Sequence, residues 1–304
     1  MIVIRECRGF EELQACVDLQ IEVWGYSDGD VIPRRVFLVA QKIGGQAIGA
    51  FDVKAGINHP NEPRSLVGGP DRDPGPGNSG PDGDAASLVG FAFSLPGVKI
   101  GANSRSGRPE SYLHSHMLAV KEGYRNQNIG ARLKVAQRED ALARGIERME
   151  WTFDPVEIKN SFLNIRKLGA IVRRYEENFY GVSSSRLQGG LQTDRLVAEW
   201  WIASDRVASA IAGDLTPEPG RKYPVEILVP GAIYGWKADE EHRHLAQEVQ
   251  AENRRKFQLA FSQGLAVVGF SRDAEGNGIF HLDRWTEPDG QFGVESEQRC
   301  VKLG

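Results

Sequence analysis

The run "VKEGYRNQNIGARL", residues 120–133, passes from an apolar segment through small and polar residues into a helix-forming stretch. A helix beginning at Ile129 leaves its first backbone N–H groups without intrahelical acceptors. Arg125, Asn126, Gln127, Asn128, Gly130 and Ala131 put little apolar bulk in front of them. Peptide donors and the positive end of a helix suit an anion, and small residues let it approach the backbone. A plain strand-to-helix turn would use the same residues. Just ahead, "SYLHSHMLAV" carries His114 and His116. A histidine near its unperturbed pKa can accept a proton at neutral pH, although a hydrogen-bonded sheet histidine needs no such role. Strict alternation puts His114, His116, Leu118 and Val120 on one face, and Leu113, Ser115 and Met117 on the other.

Other phosphate-binding chemistry is excluded by pattern. The run G-x-x-x-x-G-K-[ST] does not occur, nor does G-x-G-x-x-G at a strand-to-helix turn, so kinase and dehydrogenase readings fall away. Cys7, Cys16 and Cys300 form no CxxC pair; no metal site is expected, and the thiols suit a reducing compartment. Net charge is −4, which gives no overall attraction to nucleic acid. No window of about eighteen residues is free of charged and polar groups, so no membrane partner is expected, and the acidic, run-free N-terminus points to a cytoplasmic protein. Homo-oligomerisation stays open.

These residues need elements to hold them. "GFEELQACVDLQIEVWG" has helical periodicity and a glycine stop. "RVFLVAQKIGGQAIGAFDVKA" reads as a strand hairpin turning at Gly44-Gly45, and "SLVGFAFSLPGV" as a further strand. Between them, 57–86 is rich in Pro, Gly and Asp and reads as a mobile insertion. After the helix from Ile129 come the strand "IERMEWTFDP", the helix "VEIKNSFLNIRKLG", and the strands "AIVRRYEENFYG" and "TDRLVAEWWI". The order predicts an α+β layered fold around one mixed sheet over residues 1–204. Residues 205–304, with "YPVEILVP", one long charged helix and the hairpin joined by "AEGNG", read as a smaller C-terminal α+β domain.

Val120 to Ala131 resembles the acyl-CoA-binding signature of the GNAT acetyltransferase superfamily, a valine-ended strand followed by R/Q-x-x-G-x-G/A and a helix. Arg125, Asn128, Gly130 and Ala131 occupy those places. The element order and "NSFLNIRKLGA" are similar too, over about two-thirds of the chain. "WTFDP" and "TDRLVAEWW" resemble a two-domain bacterial branch of the superfamily. The resemblance implies a GNAT-like mixed central sheet flanked by helices, with an acyl-CoA pyrophosphate on the N–H groups from Asn126 through Gln127, Asn128, Ile129 and Gly130 to Ala131. It places the thioester between the strands "HMLAV" and "EWTFD", near the backbone of Leu118, Ala119 and Val120, with His116 and His114 as candidate bases.

Two departures matter. Asn128 stands where the family prefers glycine, and Ile165 where many members have a tyrosine that serves the leaving thiolate. Asn160 and Asn164 are the nearby polar residues that could face the pantetheine instead. Asp154 is a candidate for binding a cationic acceptor, or a cap for the turn before Pro155. Asp194 and Arg195 pose the same choice between substrate pairing and a structural bridge. The implied activity is acetyl or other acyl transfer from acyl-CoA to a small amine. The competing expectation is a noncatalytic CoA-binding or interaction module.

Overall fold

Periodicity and turn chemistry account for the first elements. Strand β1 (Ile2–Glu6) leads into helix α1 (Gly9–Trp24), which buries Leu13, Cys16, Leu19 and Gln20 and stops at Gly25 in the left-handed conformation. Helix α2 (Arg34–Lys42) follows Pro33 and turns Phe37 and Ala40 inward. A strand was expected there. The apolar run "VFLVA" suits either element, and Pro33 as N-cap sets the chain up for a helix. Gly45 then closes the turn, because a β-carbon on it would lie 2.4 Å from the Ser94 carbonyl oxygen. Only after it does β2 (Gln46–Asp52) begin.

The computed structural model describes residues 1–26, 29–53, 86–100, 107–181, 188–215 and 220–286. The expected insertion at 57–86 falls outside them apart from Ala86, and Cys300 also falls outside. The remaining elements are β3 (Ser87–Lys99), β4 (Glu110–Val120), α3 (Ile129–Ala143), β5 (Arg148–Phe153) and α4 (Ile158–Ser161), which continues as a π-helical segment, Phe162–Lys167. They are followed by β6 (Ile171–Glu176), β7 (Arg195–Trp201), α5 (Asp205–Ala212), β8 (Val225–Val229), α6 (Ile233–Ala238), α7 (Arg243–Ser262), β9 (Leu265–Arg272) and β10 (Gly278–Arg284).

The ten described strands form one mixed sheet in the order β1-β2-β3-β4-β5-β7-β6-β9-β10-β8. Every described pairing is antiparallel except β4 with β5. The helices are divided unequally. On one face Ala141 of α3, Ile165 beyond α4, Val207 of α5, Ile233 of α6 and Phe257 of α7 share a cluster with Trp151, Trp200, Phe270 and Phe280. On the other, α1 and α2 pack on Phe51, Phe91, Phe93 and Met117, and no described helix covers β5, β7 and β6. In that second cluster Cys7 and Cys16 are buried free thiols 3.8 Å apart.

The division expected at residue 205 falls between β7 and α5. The last three strands nevertheless extend the same sheet, through the pairing of Val172 with Val267, and their apolar residues enter the same cluster as Trp200. The two parts therefore share one core.

Candidate functional site

Strands β4 and β5 are joined only at Leu113–Met149 and His114–Glu150. Beyond that point they part, and a parallel pair that parts leaves a row of backbone donors and acceptors unused. The Lys121 N–H bonds the Val89 carbonyl toward β3. Alternation then sends the Leu118 and Val120 N–H groups toward the gap.

The alternation expected along β4 fails at His116. Met117 stands opposite Phe93 and Ser115 opposite Ser94, so His116 is an extra, bulged residue. As a result Ser115 faces α3, where its hydroxyl donates to Gln137 Oε1 at 2.9 Å and accepts from Lys134 Nζ at 2.7 Å. Met117 and Ala119, by contrast, pack toward α1 and α2. Leu118 and Val120 pack with Ile129 and Leu133 of α3, and do not share a face with the histidines. His116 lies edge-on to Phe93, on the α1/α2 side, with His114 6.0 Å away. Strict period-2 counting cannot register a bulge.

Both rings are largely buried, and burial draws both pKa values down. His114 falls to about 4, helped by repulsion from His116. Behind His114 lies a set of side chains that the sequence reading missed. Glu150 meets Arg148 at 2.6 Å, Lys99 at 2.8 Å and Arg174 at 3.0 Å, and Glu199 meets Arg173 at 2.6 Å and Arg148 at 3.2 Å. Burial works to raise the Glu150 pKa, but these cations hold it below its ordinary value. The available signals were charges at alternate positions of "RMEW" and a glutamate inside the apolar strand "RLVAEWW". A second bulge, between Val172 and Arg174, turns Arg173 and Arg174 toward the same two carboxylates.

At the open end of the gap the chain makes a 3-10 turn, Glu122–Tyr124, and reaches α3 through Asn126 (φ 64°) and Asn128 (φ 61°). A left-handed residue followed by a helical one aims consecutive N–H groups at one point, an anion-binding nest. Asn128 makes no side-chain cap to α3. Its amide oxygen instead accepts from Lys167 Nζ at 3.4 Å, so Asn128 brings a cation to the start of α3. Gln127 is exposed and donates to the Gly123 carbonyl at 3.3 Å, while Arg125 Nε donates to the Val120 carbonyl at 3.3 Å. Asn128, Ala131, Arg132 and Lys167 line a cavity of about 570 Å³ that extends to Leu168 and Ala210.

The remaining candidates separate. Asn164 is 4% exposed within the π-helical segment, whereas Asn160 is exposed. Ile165 is fully buried in the main cluster and has no proton to offer a leaving thiolate. The Asp154 carboxylate caps the Val156 N–H at 2.9 Å and lies 3.5 Å from Lys237 Nζ, which makes it a turn residue with its own cation and not an open acceptor site. Asp194 is likewise structural, fully buried between Tyr175, the Asn178 N–H and Arg254. Among the described residues no group of His, Cys, Asp and Glu could hold a metal ion, and no described helix is long and apolar enough to cross a membrane.

The elements and site define a mixed-sheet α+β protein with a parted parallel strand pair and an uncapped helix start at its mouth. No family model matches the chain, and no curated protein matches it. Solved structures do. Arabidopsis thaliana NAA60, in complex with acetyl-CoA, is similar at 14% identity over 67% of this chain and 100% of that one, with a TM-score of 0.47. An acetyltransferase of the GNAT family from Streptococcus pneumoniae is similar at 16% identity over 66% of this chain and 98% of that one, with a TM-score of 0.42. The ribosomal-protein-S18-alanine N-acetyltransferase of Escherichia coli is similar at 12% identity over 67% and 96%, with a TM-score of 0.40. Likeness at this level leaves activity and substrate to the chain's own geometry.

Proposed function

We propose that the protein is an acyl-CoA-dependent N-acyltransferase that acylates a small amine by direct attack, with acetyl-CoA as the leading donor. The observation that carries this reading is the parting of β4 and β5 just beyond His114, which opens toward the uncapped nest at Asn128–Ile129. One feature binds a phosphate; the other presents peptide donors to a carbonyl group.

The donor, when bound, supplies an activated acyl thioester. The N–H groups of Ile129, Gly130 and Ala131 hold its pyrophosphate, with Lys167 and Arg132 beside them. The Leu118 and Val120 N–H groups polarise the acyl carbonyl, and Asn164 of the π-helical segment hydrogen-bonds the pantetheine. The bulge at His116 presents that ring and His114 to the opposite side of the sheet, where an amine can enter without crossing the donor. Both histidines are neutral at pH 7 and can take the proton the amine sheds as its nitrogen bonds the acyl carbon and the carbon–sulfur bond breaks. The sulfur leaves with the bonding electron pair.

The fully buried Ile165 favours a second reading, a module that binds CoA without turnover. Incubation of the full chain with acetyl-CoA and an amine panel, followed as free thiol, separates the two. Amine-dependent thiol release supports the transferase, whereas tight CoA binding with no release for any amine supports the module.

A further inference from the structure

On the reading that this cleft transfers an acyl group, we propose that the acceptor is an amine that also carries a carboxylate, held by Arg174 and Arg173. The argument begins at depth. The side chains of Glu150 and Glu199 are 5% and 2% exposed, and the Arg148 and Lys99 side chains packed against them are 6% and 9% exposed. Those two cations balance those two carboxylates. The guanidinium groups of Arg173 and Arg174 lie further out, with side chains 34% and 42% exposed, so the described face turned to solvent is positive.

The patch is tied to the reacting histidine. Glu150 is the cross-strand partner of His114, and Arg174 Nη2 meets Glu150 Oε2 at 3.0 Å. One carboxylate therefore separates the outer guanidinium from His114. A guanidinium fork suits a carboxylate, and a purely cationic amine would be repelled here.

The same field serves the chemistry. With its pKa near 4, His114 is a weak base and cannot readily deprotonate an ordinary ammonium group. Positive charge nearby disfavours the ammonium form of the acceptor and so delivers the neutral, nucleophilic amine. The acceptor's carboxylate supplies the attraction that brings such an amine into a positive site. The β6 bulge that places Arg173 and Arg174 side by side is then a specificity device.

The test compares α-amino acids with their amides and with aliphatic diamines on the full chain. Binding to CoA-saturated protein is read by saturation-transfer NMR, and turnover as free thiol from acetyl-CoA. At least one amino acid should bind about tenfold more tightly than its amide, as expected for a charge-assisted pair. Arg174→Gln should remove that preference by raising KM for the amino acid well beyond any change in KM for the amide, and should keep CoA affinity by calorimetry. Arg173→Gln provides a second variant, and Arg174→Lys should restore part of the preference. Preferred binding that is lost in Arg174→Gln supports the proposal even without thiol release, in which case the transferase reading alone falls. Amides or diamines binding as well as the amino acids, or Arg174→Gln weakening acid and amide alike, would overturn it even if thiol is released.

Discussion

Burial leaves His114 and His116 deprotonated at neutral pH, which fixes where their titration should appear. Both folded pKa values lie below the ordinary histidine value, and the charged groups that act on His114 are His116, Glu150, Lys134 and Lys99. If these rings accept the amine's proton, the acidic limb of kcat falls below the usual histidine range, toward pH about 4, and is flat through neutrality. His116→Ala and His114→Ala should lower kcat more than they weaken CoA binding, and the double variant should lose that limb. A limb that persists in the double variant, with kcat retained, would place the base elsewhere. Lys134 offers a separate test of burial. Its Nζ donates to Ser115 Oγ at 2.7 Å and stands 3.5 Å from the centre of the Trp151 ring, and burial lowers its pKa well below the ordinary value. Between the lowered folded value and the unfolded one, the unfolded chain binds the extra proton, so this residue makes stability rise with pH. Lys134→Met should remove that contribution. Urea unfolding of both proteins at about pH 6 and about pH 9 should show a smaller pH dependence in the variant, and equal slopes would contradict the burial.

The strand–turn–helix at 120–131 was legible in the sequence because small residues, a valine-ended strand and a helical period fall in order. The parting of β4 from β5 came only from resemblance, since no local pattern marks where two distant strands cease to pair. Both bulges were illegible: "HSHM" and "VRRY" alternate as any strand does, and the extra residue is set by the partner strand. Helix α2 was lost for a related reason, its apolar run being too short for period to separate helix from strand. Gly130 tests the legible part. A β-carbon built there meets Leu118 Cδ2 at 3.6 Å and Leu163 Cδ2 at 4.0 Å, ordinary contacts that a helix accepts, so Gly130→Val should fold. Its branches would extend into the space between β4 and the π-helical segment, beside the nest. CoA affinity by calorimetry should drop about tenfold or more, as expected when a backbone donor can no longer reach its phosphate. Unchanged affinity in a folded variant would remove this turn from the site.

The whole molecule is organised by the unequal loading of its sheet. Among the described residues five helices cover one face along its length and two cover only the first strands of the other, so the charged strip on β5, β7 and β6 has no described helix over it beside the histidines. Composition could suggest an α+β chain but could not tell a second domain from an extension of the first, because β8 to β10 read the same way in either arrangement. Their strands continue the sheet from β6, and Phe257, Phe270 and Phe280 share a cluster with Trp151 and Trp200. The full chain should therefore unfold in one cooperative transition, because the cluster around Trp200 draws its residues from both parts. A chain ending at residue 204 would expose the β6 edge and the apolar residues now under α7, and should aggregate or lose fixed tertiary structure. Calorimetry of the full chain, with near-ultraviolet circular dichroism and CoA titration of the shortened one, decides the matter. Two separable transitions, or a shortened chain that folds and binds CoA with full affinity, would show that the boundary at 204 divides two independent units after all.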